Sequence, residues 1–217
     1  MIGPTDITAI FGQRGSGKSD LGKAISRLYP RLFAIDITSE WECGRDDLDL
    51  VTDSFDVAAR FLEETIGEKQ FRMAFQFDID TASDTQRKTF NALLRTLYKR
   101  GTITGENLCL LIEEVHFYCS PATIEEWLFK MVTVGRHANV PMIVSSQRPA
   151  QVHKSITSAA PNKFIGQLDD GRDLKYFREI IGDLADEIPK LDKYDFIYHR
   201  LGAPPRVVDK FSFTEEI

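Results

Sequence analysis

The sequence predicts an α/β fold with a mostly parallel central sheet and helices on both of its faces. Short apolar runs alternate with helical patterns along the chain, and this alternation indicates βαβ units. One of the runs, Leu108–Ile112, is apolar at every position, as in a strand buried on both faces of a sheet. A glycine-rich loop lies directly between the first apolar run and the first helical pattern. There is no internal repeat, low-complexity segment or linker in the sequence, so we expect residues 1–217 to form a single domain.

The individual elements follow from hydrophobic spacing and from residues that start or stop helices. Pro30 ends the first predicted helix, Gly67 follows the second, and Ser83 is suited to cap the third and longest. Strands are predicted at 7–11, 32–37, 71–77, 108–112, 140–145, 163–167, 195–201 and 206–208. Helices are predicted at 18–28, 55–66, 83–99, 123–135 and 170–181.

Composition and charge exclude several classes of protein. Apolar residues make up 42% and charged residues 28% of the 217 positions, which favours a folded chain over a disordered one. No apolar run approaches the roughly 18 residues of a membrane helix, and the N-terminus lacks the pattern of a signal peptide, so we expect an intracellular protein without a membrane span. The three cysteines have no C-x-x-C spacing, which argues against a disulfide framework or a zinc site. A net charge of -6 argues against a protein that coats nucleic acid with its whole surface, but not against a local basic patch.

The loop at residues 12–19 reads Gly-Gln-Arg-Gly-Ser-Gly-Lys-Ser and matches the phosphate-loop pattern G-x-x-x-x-G-K-[ST] at every fixed position. The amides of such a loop surround phosphate groups at the positive end of the following helix, and glycines permit the close approach. We expect Lys18 to reach the β- and γ-phosphates of ATP and Ser19 to ligate Mg²⁺. The residues expected at the nucleotide are Gly12, Gln13, Arg14, Gly15, Ser16, Gly17, Lys18, Ser19 and Asp20.

Polar residues end two of the predicted buried strands, at the edge where α/β sheets bind their ligands. Glu113 and Glu114 follow the strand 108–112, and Gln147 follows the strand 140–145. We expect Glu113 to contact Mg²⁺ directly or through water and Glu114 to polarise the attacking water. Gln147 is expected to sense the γ-phosphate or that water. Arg136 is either a solvated charge or a residue that reaches the γ-phosphate of a neighbouring subunit.

Together these residues resemble the HerA/FtsK superfamily of DNA-translocating ATPases. The likeness is sharpest at residues 135–149, Gly-Arg-His-Ala-Asn-Val-Pro-Met-Ile-Val-Ser-Ser-Gln-Arg-Pro, and continues to residue 173. Residues 33–41, Phe-Ala-Ile-Asp-Ile-Thr-Ser-Glu-Trp, are similar to the HerA pattern of a strand-ending aspartate and a later Glu-aromatic pair. Residues 113–116, Glu-Glu-Val-His, resemble the acidic pair and histidine of HerA proteins, with Glu113 in place of the family's aspartate. The resemblance covers about residues 7–200.

This resemblance implies a RecA-like P-loop NTPase fold of the type with an additional strand and a catalytic glutamate. It also implies a ring, usually hexameric, that threads double-stranded DNA and hydrolyses ATP at subunit interfaces. The residues that would serve the nucleotide of their own subunit are Lys18, Ser19, Glu113, Glu114 and Gln147. Arg136 would complete the neighbouring site, with Arg100, Arg148 and Arg172 as competitors for that role. His116 would pack or hydrogen-bond near the acidic pair.

Barely six residues precede the first predicted strand. A motor with so little attached looks most like the genome-packaging ATPases of icosahedral viruses with an internal membrane. The resemblance therefore favours a viral DNA-packaging ATPase, located in the host cytoplasm or the virion, with a capsid vertex as a candidate partner.

Three alternatives stay open at this point. A cellular HerA-like helicase, or an ATPase of conjugation or filamentous-phage assembly, has the same motor. A P-loop kinase or small-molecule phosphotransferase would be monomeric, and a nucleotide-gated binding module would show no turnover.

The residues that contact DNA are the least predictable. The loops 80–88 and 151–163 each carry cations that either line a channel or are ordinary exposed charges, namely Arg87, Lys88, Lys154 and Lys163.

Overall fold

The computed structural model describes residues 2–77 and 83–209, and within them nine strands form one sheet in the order β3-β4-β2-β5-β6-β1-β7-β8-β9. The strands are β1 Ile7–Phe11, β2 Arg31–Asp36, β3 Leu50–Thr52, β4 Phe71–Gln76, β5 Cys109–Ile112, β6 Met142–Ser146, β7 Asn162–Ile165, β8 Asp195–Arg200 and β9 Arg206–Asp209. The helices are α1 Lys18–Ser26, α2 Cys43–Asp46, α3 Phe55–Glu64, α4 Ser83–Thr104, α5 Glu126–Val134, α6 Lys154–Ala159 and α7 Gly171–Ile181.

The strand order brings the carboxyl ends of four neighbouring parallel strands together. β1 lies between β6 and β7, β2 lies between β4 and β5, and β5 pairs with β6, all in parallel. β8 pairs antiparallel with β7, so the start of β8 returns to the edge where β7 ends. The loops after β1, β2, β5 and β6 therefore meet at one edge, which we call the carboxyl edge of the sheet. This arrangement confirms the predicted α/β architecture with a mostly parallel sheet.

Both faces of the sheet are buried, as its apolar strands require. In β1, Ala9 and Phe11 pack on one face, and Ile10 packs on the other. Helix α1 covers the face of Ile10 with Leu21 and Ile25, while α3 to α7 cover the opposite face. Among the helices of residues 2–77 and 83–209, none has the combination of length and hydrophobicity that crossing a bilayer needs.

The structure differs from the predicted elements mainly in short segments. The sequence predicts neither the four-residue α2 nor the three-residue β3, because segments this short carry little periodicity. Helix α6 lies in a stretch that the sequence predicts to be a loop. Helix α4 continues past the predicted end at residue 99, because Gly101 lets it pack against the backbone of Ala138, where a Cβ atom would overlap the carbonyl oxygen. Helix α5 begins later than predicted, because Ile124 pairs with Cys119 in an isolated β-bridge.

Candidate active site

The phosphate-loop sequence, residues 12–19, connects the end of β1 to the first turn of α1 at the carboxyl edge. Neighbouring strands fix its first residues. The N–H of Gly12 donates to the carbonyl of Ser146 at 3.3 Å, and the N–H of Gln13 donates to the carbonyl of Gln167 at 2.7 Å. The side-chain amide of Gln13 also donates to the side-chain oxygen of Gln167 at 2.9 Å. The loop is therefore held between the end of β6 and the segment that follows β7.

The N-terminus of α1 faces into this loop. Gly17 precedes the helix with a φ of 95°, a left-handed conformation that favours glycine, and no side chain caps the helix. The N–H groups in the first turn of a helix lack intrahelical acceptors and carry partial positive charge. The hydroxyl of Ser16 is buried without a hydrogen-bond partner among the described residues. These features suit the binding of an anionic phosphate group.

The Lys18 side chain lies between the phosphate loop and the end of β5. It is buried, and its ammonium donates to the carbonyl of Gln13 at 3.1 Å. The same nitrogen lies 3.8 Å from Oε1 of Glu114. Burial lowers the pKa of Lys18, while the carboxylates of Glu114 and Glu113 oppose that shift. The cation is thus directed toward the acidic pair and away from bulk solvent.

Glu113 is 3% exposed, and both of its carboxylate oxygens have polar neighbours. The indole N–H of Trp41 donates to Oε1 at 3.2 Å, and the hydroxyl of Thr38 lies 3.0 Å from Oε2. Burial, reinforced by the charge of Asp36 and opposed by these hydrogen bonds, raises the pKa of Glu113 to about 7. Glu113 can therefore be neutral or charged near neutral pH.

Asp36, the last residue of β2, holds the turn that presents Thr38 and Trp41 to Glu113. Its Oδ1 accepts a hydrogen bond from the N–H of Thr38 at 3.0 Å and also lies 3.0 Å from the Thr38 hydroxyl, whose single proton is shared between Asp36 and Glu113. Its Oδ2 accepts from the N–H of Trp41 at 3.0 Å and from the side-chain amide of Gln76 at 2.9 Å. In the sequence, Asp36 and Trp41 are recognisable only through the family resemblance, and Thr38 and Gln76 are not predicted as site residues. The only signal for those two is that polar residues lie at or just after the ends of β2 and β4.

Glu114 has a left-handed backbone, with a φ of 49°, which is uncommon and strained for a residue other than glycine. Its Oε2 accepts a hydrogen bond from the N–H of Gln147 at 2.9 Å and lies 3.2 Å from Nδ1 of His116. The same Nδ1 lies 3.0 Å from the hydroxyl of Ser146. Burial by itself raises the pKa of Glu114, but its hydrogen bonds and the charge of Lys18 together hold that pKa below the usual value. Residues at the ends of β5 and β6 therefore keep Glu114 as a carboxylate.

Most of the site residues predicted from the sequence line one open pocket of about 640 Å³ at the carboxyl edge. Those that line it are Arg14, Gly15, Gly17, Lys18, Ser19, Asp20, Glu113, Glu114 and Gln147. Gly12, Gln13 and Ser16 belong to the same loop. Thr38, Glu40 and Lys193 also line the pocket, and of these Lys193 comes from the segment just before β8.

Arg136 lies at the opposite edge of the sheet. It is exposed in the 3₁₀ turn Gly135–Ala138, which precedes β6 and lies beside the start of β1. The structure therefore does not bring Arg136 to the pocket of its own chain. Of its competitors, Arg100 is buried and bound to Glu106, so the suggestion that it reaches a neighbouring site is wrong. Arg148 and Arg172 are exposed near the carboxyl edge.

The cations suggested as DNA contacts have different environments. Lys163 is buried within β7 and its ammonium donates to the carbonyl of Ala160, so the prediction that it lies on an exposed loop is wrong. Arg87 and Lys88 lie on the surface of α4 and form ion pairs with Glu125 and Asp84, at 3.6 Å and 2.8 Å. Lys154 is exposed at the start of α6. Residues 80–82 of the first suggested loop lie outside the described residues.

No family model matches the sequence. The chain is 23% identical over 116 residues to the probable DNA double-strand break repair helicase HerA of Methanocaldococcus jannaschii. That match covers 52% of this chain but only 23% of the archaeal protein, so the chain spans less than a quarter of the length of this relative.

Solved structures match over a much larger share of the chain. The genome-packaging NTPase B204 from Sulfolobus turreted icosahedral virus 2, solved with sulfate, is 18% identical and has a TM-score of 0.72, with 95% of this chain and 96% of that chain covered. B204 has also been solved with AMPPCP and with ATP-gammaS. The bacterial conjugative coupling protein TrwBdeltaN70 is 11% identical with a TM-score of 0.65, and the match covers 94% of this chain and 84% of that chain. The chain therefore has the fold of the HerA/FtsK-like P-loop ATPases.

Proposed function

We propose that this protein is an Mg²⁺-dependent ATPase that translocates double-stranded DNA, and that it packages a viral genome. The observation that carries the proposal is the pocket in which Lys18, Glu113 and Glu114 meet the open N-terminus of α1. The likeness to B204, which extends over nearly all of both chains, supports packaging as the use of that pocket. In this proposal residues 1–217 act as a single motor domain, in the host cell or the virion.

The residues present fit a nucleoside triphosphate and its metal ion. The uncapped helix and the unpartnered Ser16 hydroxyl would receive the β-phosphate, and the Lys18 ammonium would meet the β- and γ-phosphates. The hydroxyl of Ser19 would hold Mg²⁺. Because both oxygens of Glu113 already have polar neighbours in the chain, Glu113 would act on the ion through water. A bound Mg²⁺ supplies positive charge that neutralises the phosphate oxygens.

Glu114 would orient and polarise the water that attacks the γ-phosphate. Its lowered pKa keeps it able to accept a hydrogen bond from that water at neutral pH. Gln147 holds Glu114 through its backbone N–H and lines the pocket with its side chain. That side chain would contact the γ-phosphate, so the end of β6 would respond to the presence of the γ-phosphate.

The position of Arg136 supports an oligomer in which the site is completed by a second subunit. Arg136 lies at the amino edge of the sheet, whereas the phosphate loop lies at the carboxyl edge. A single copy of the chain thus cannot place this arginine on its own nucleotide. Head-to-tail contacts between copies would bring the amino edge of one subunit to the pocket of the next, and such contacts form a ring when the rotation between successive copies closes. We propose a homo-oligomeric ring, with six subunits as the expected number.

Duplex DNA would pass through the centre of that ring. The net charge of -6 means that positive charge facing DNA must be confined to a few segments that are gathered by assembly. Exposed Lys154 and the region of Arg87 and Lys88 are the proposed contacts, while buried Lys163 is not one of them. A capsid vertex is the proposed docking partner of the ring.

Two measurements on one preparation test the proposal, namely ATP hydrolysis at low salt with and without duplex DNA, and oligomeric state by native mass measurement with ATP. We expect turnover that duplex DNA stimulates and an assembly larger than a dimer. Turnover without any binding to duplex DNA would contradict the translocase. A strict monomer under all conditions would favour a P-loop small-molecule kinase.

A cellular HerA-like helicase is the second candidate, because the one sequence relative described above is a probable repair helicase of that kind. An ATPase of conjugation belongs with this second candidate, because the fold of the chain is also similar to that of TrwB. Both share the motor chemistry, so they are distinguished by partners. Co-purification with a nuclease or a membrane anchor from the natural host favours these candidates, whereas binding to capsid protein favours packaging.

A further inference from the structure

A groove at the amino edge of the sheet lies between α5 and α6 and includes Arg136. Its volume is about 510 Å³, and six apolar residues line it, namely Ile7, Met131, Val132, Val140, Ala159 and Pro161. Thr133 also lines the groove and is exposed, and Phe129, one turn earlier on the same face of α5, is 43% exposed. Arg136 is exposed and forms no ion pair with any residue that the structure describes. The groove is therefore an open apolar surface with an unpaired cation.

Phe117 is an exposed aromatic residue at the carboxyl edge, three residues after Glu114. It ends the 3₁₀ turn Val115–Phe117, and its side chain is 54% exposed. Its N–H donates to the carbonyl of Glu114 at 3.0 Å, and its ring stacks on the ring of His116 with the centroids 4.7 Å apart. Nδ1 of His116 lies 3.2 Å from the Glu114 carboxylate. A contact that fixes Phe117 would therefore also fix Glu114, whose left-handed backbone is strained.

A second copy of the chain is the occupant that the charges and the apolar surfaces favour. The groove and Phe117 lie at opposite edges of the sheet, so they cannot meet within one chain. Three residues span at most about 11 Å, so a Phe117 ring in the groove brings Glu114 and its pocket close to Arg136 of the other copy. The unpaired arginine then faces an acidic pair, and the exposed ring faces an apolar lining. Exposed apolar surfaces of this kind mark sites of protein association.

We propose that Phe117 of one subunit inserts into the groove beside Arg136 of the next subunit, and that this contact fixes His116 and Glu114 for catalysis. The inference rests on the proposed function, because it names the surfaces that join the subunits of the proposed ring. It makes turnover depend on assembly through Glu114 as well as through Arg136. A copy that is not assembled would then bind ATP and hydrolyse it slowly.

The test measures assembly by sedimentation over a dilution series with ATP, for wild-type protein, Phe117→Asp, Thr133→Lys and the double variant. Thr133 is exposed in the groove, so a lysine there opposes entry of the ring without altering Phe117. We expect each single substitution to raise the concentration needed for half-assembly by about tenfold or more, as loss of an interface anchor does. The double variant pairs the new ammonium with the new carboxylate and should recover most of that loss. Ile66→Asp, which adds the same charge at a side chain of matching exposure (56%) just after α3, is the control and should assemble like the wild type.

The outcomes distinguish this interface from the proposed function. Wild-type protein that stays monomeric with ATP at every concentration would contradict the ring itself, and the interface would fall with it. Single variants that assemble like the wild type would overturn the interface and leave the proposed function intact. Weakened assembly in both single variants without recovery in the double variant would mean that Phe117 and Thr133 do not meet, which also overturns the contact. Calorimetry should show unchanged ATP binding in both single variants; if Phe117→Asp loses ATP binding, that substitution damages the pocket and Thr133→Lys decides.

Discussion

The carboxylate of Glu114 accepts a hydrogen bond of 2.9 Å from the backbone N–H of Gln147, and this bond joins the ends of two adjacent strands, β5 and β6. The residue proposed to activate water and the residue proposed to sense the γ-phosphate are therefore mechanically connected. A shift of the Gln147 backbone on ligand binding would change the position of Glu114 directly.

Replacing Glu114 by glutamine should separate binding from turnover. Glutamine preserves the shape and an acceptor oxygen for the Gln147 amide, but it cannot accept a proton from water. We expect Glu114→Gln to bind ATP as the wild type does and to lose about 10²- to 10⁴-fold in kcat. Steady-state ATP hydrolysis and calorimetric ATP binding measure the two effects. Glu126→Gln, on the exposed first turn of α5, is the matched control and should retain full turnover. Unchanged kcat in Glu114→Gln would indicate a binding module without catalysis.

His116 is expected to position Glu114 without touching the nucleotide. Its Nδ1 lies 3.2 Å from the Glu114 carboxylate and 3.0 Å from the Ser146 hydroxyl. Removing it in His116→Ala should lower kcat by about 10- to 100-fold, the size of effect that slight misplacement of a reacting group produces, with little change in KM. His116→Asn places an amide nitrogen near the position of Nδ1, so we expect it to restore much of kcat. Equal losses in kcat for both variants would argue that the histidine ring is needed only for packing against Phe117.

Glu113 should make the stability of the ligand-free protein depend on pH. Its pKa in the folded chain is about 7, above the ordinary value of 4.5, so the folded state binds more protons than the unfolded state between these values. The free energy of unfolding therefore falls as the pH rises through this window, by about 3 kcal/mol for a shift of this size. Glu113→Gln mimics the protonated acid and lacks this loss, so its stability relative to the wild type should rise from pH 5 to pH 8. Urea unfolding at several pH values, without nucleotide or Mg²⁺, measures the difference.

Two controls make this pH experiment specific. Glu126→Gln, in which an exposed carboxylate is replaced, should show a difference from the wild type that stays nearly constant with pH. A constant difference for Glu113→Gln as well would mean that Glu113 is charged across the whole range, and that the hydrogen bonds from Thr38 and Trp41 outweigh its burial.

The parts of the site that the sequence predicts are those set by local pattern and by strand order. The phosphate loop is a contiguous motif, and Glu113 and Glu114 directly follow an apolar strand, so their meeting needs only the rule that ligands bind at the carboxyl ends of parallel strands. The contacts of Glu113 could not be predicted in this way. Thr38 and Trp41 reach it from more than 70 residues away, and only the pairing of β2 with β5 brings them together.

The predictions that are wrong concern residues whose environment is set by tertiary packing. Lys163 is predicted to be an exposed cation because lysine is rarely buried, although it also begins the predicted strand 163–167. In the structure it is the second residue of β7 and is buried. β3 is a half-buried edge strand of three residues, too short for alternation to be recognised. The end of α4 depends on the contact between Gly101 and Ala138, which brings the turn containing Arg136 against that helix. Contacts of this kind are set by tertiary packing and leave no local pattern.

The last prediction is that two inactive variants regain ATP hydrolysis when they are mixed. If Arg136 acts on the nucleotide of a neighbouring subunit, Arg136→Ala and Glu114→Gln are each inactive alone. In mixed rings, however, an Arg136→Ala subunit retains Glu114 and can receive an intact arginine from a Glu114→Gln neighbour. Partial turnover should then return, measured by ATP hydrolysis after subunit exchange, with native mass measurement to verify mixed assemblies.

The matched control for mixing is the pair Lys18→Ala and Glu114→Gln. Both of these residues line the pocket of their own chain, so no arrangement of the two subunits produces a complete site, and the mixture should stay inactive. Mixed rings of Arg136→Ala and Glu114→Gln that show no turnover would place the role of Arg136 within its own subunit or outside catalysis. Because Arg136 is at the amino edge and the pocket is at the carboxyl edge, action within one subunit would require a rearrangement of the sheet itself, and we therefore expect complementation.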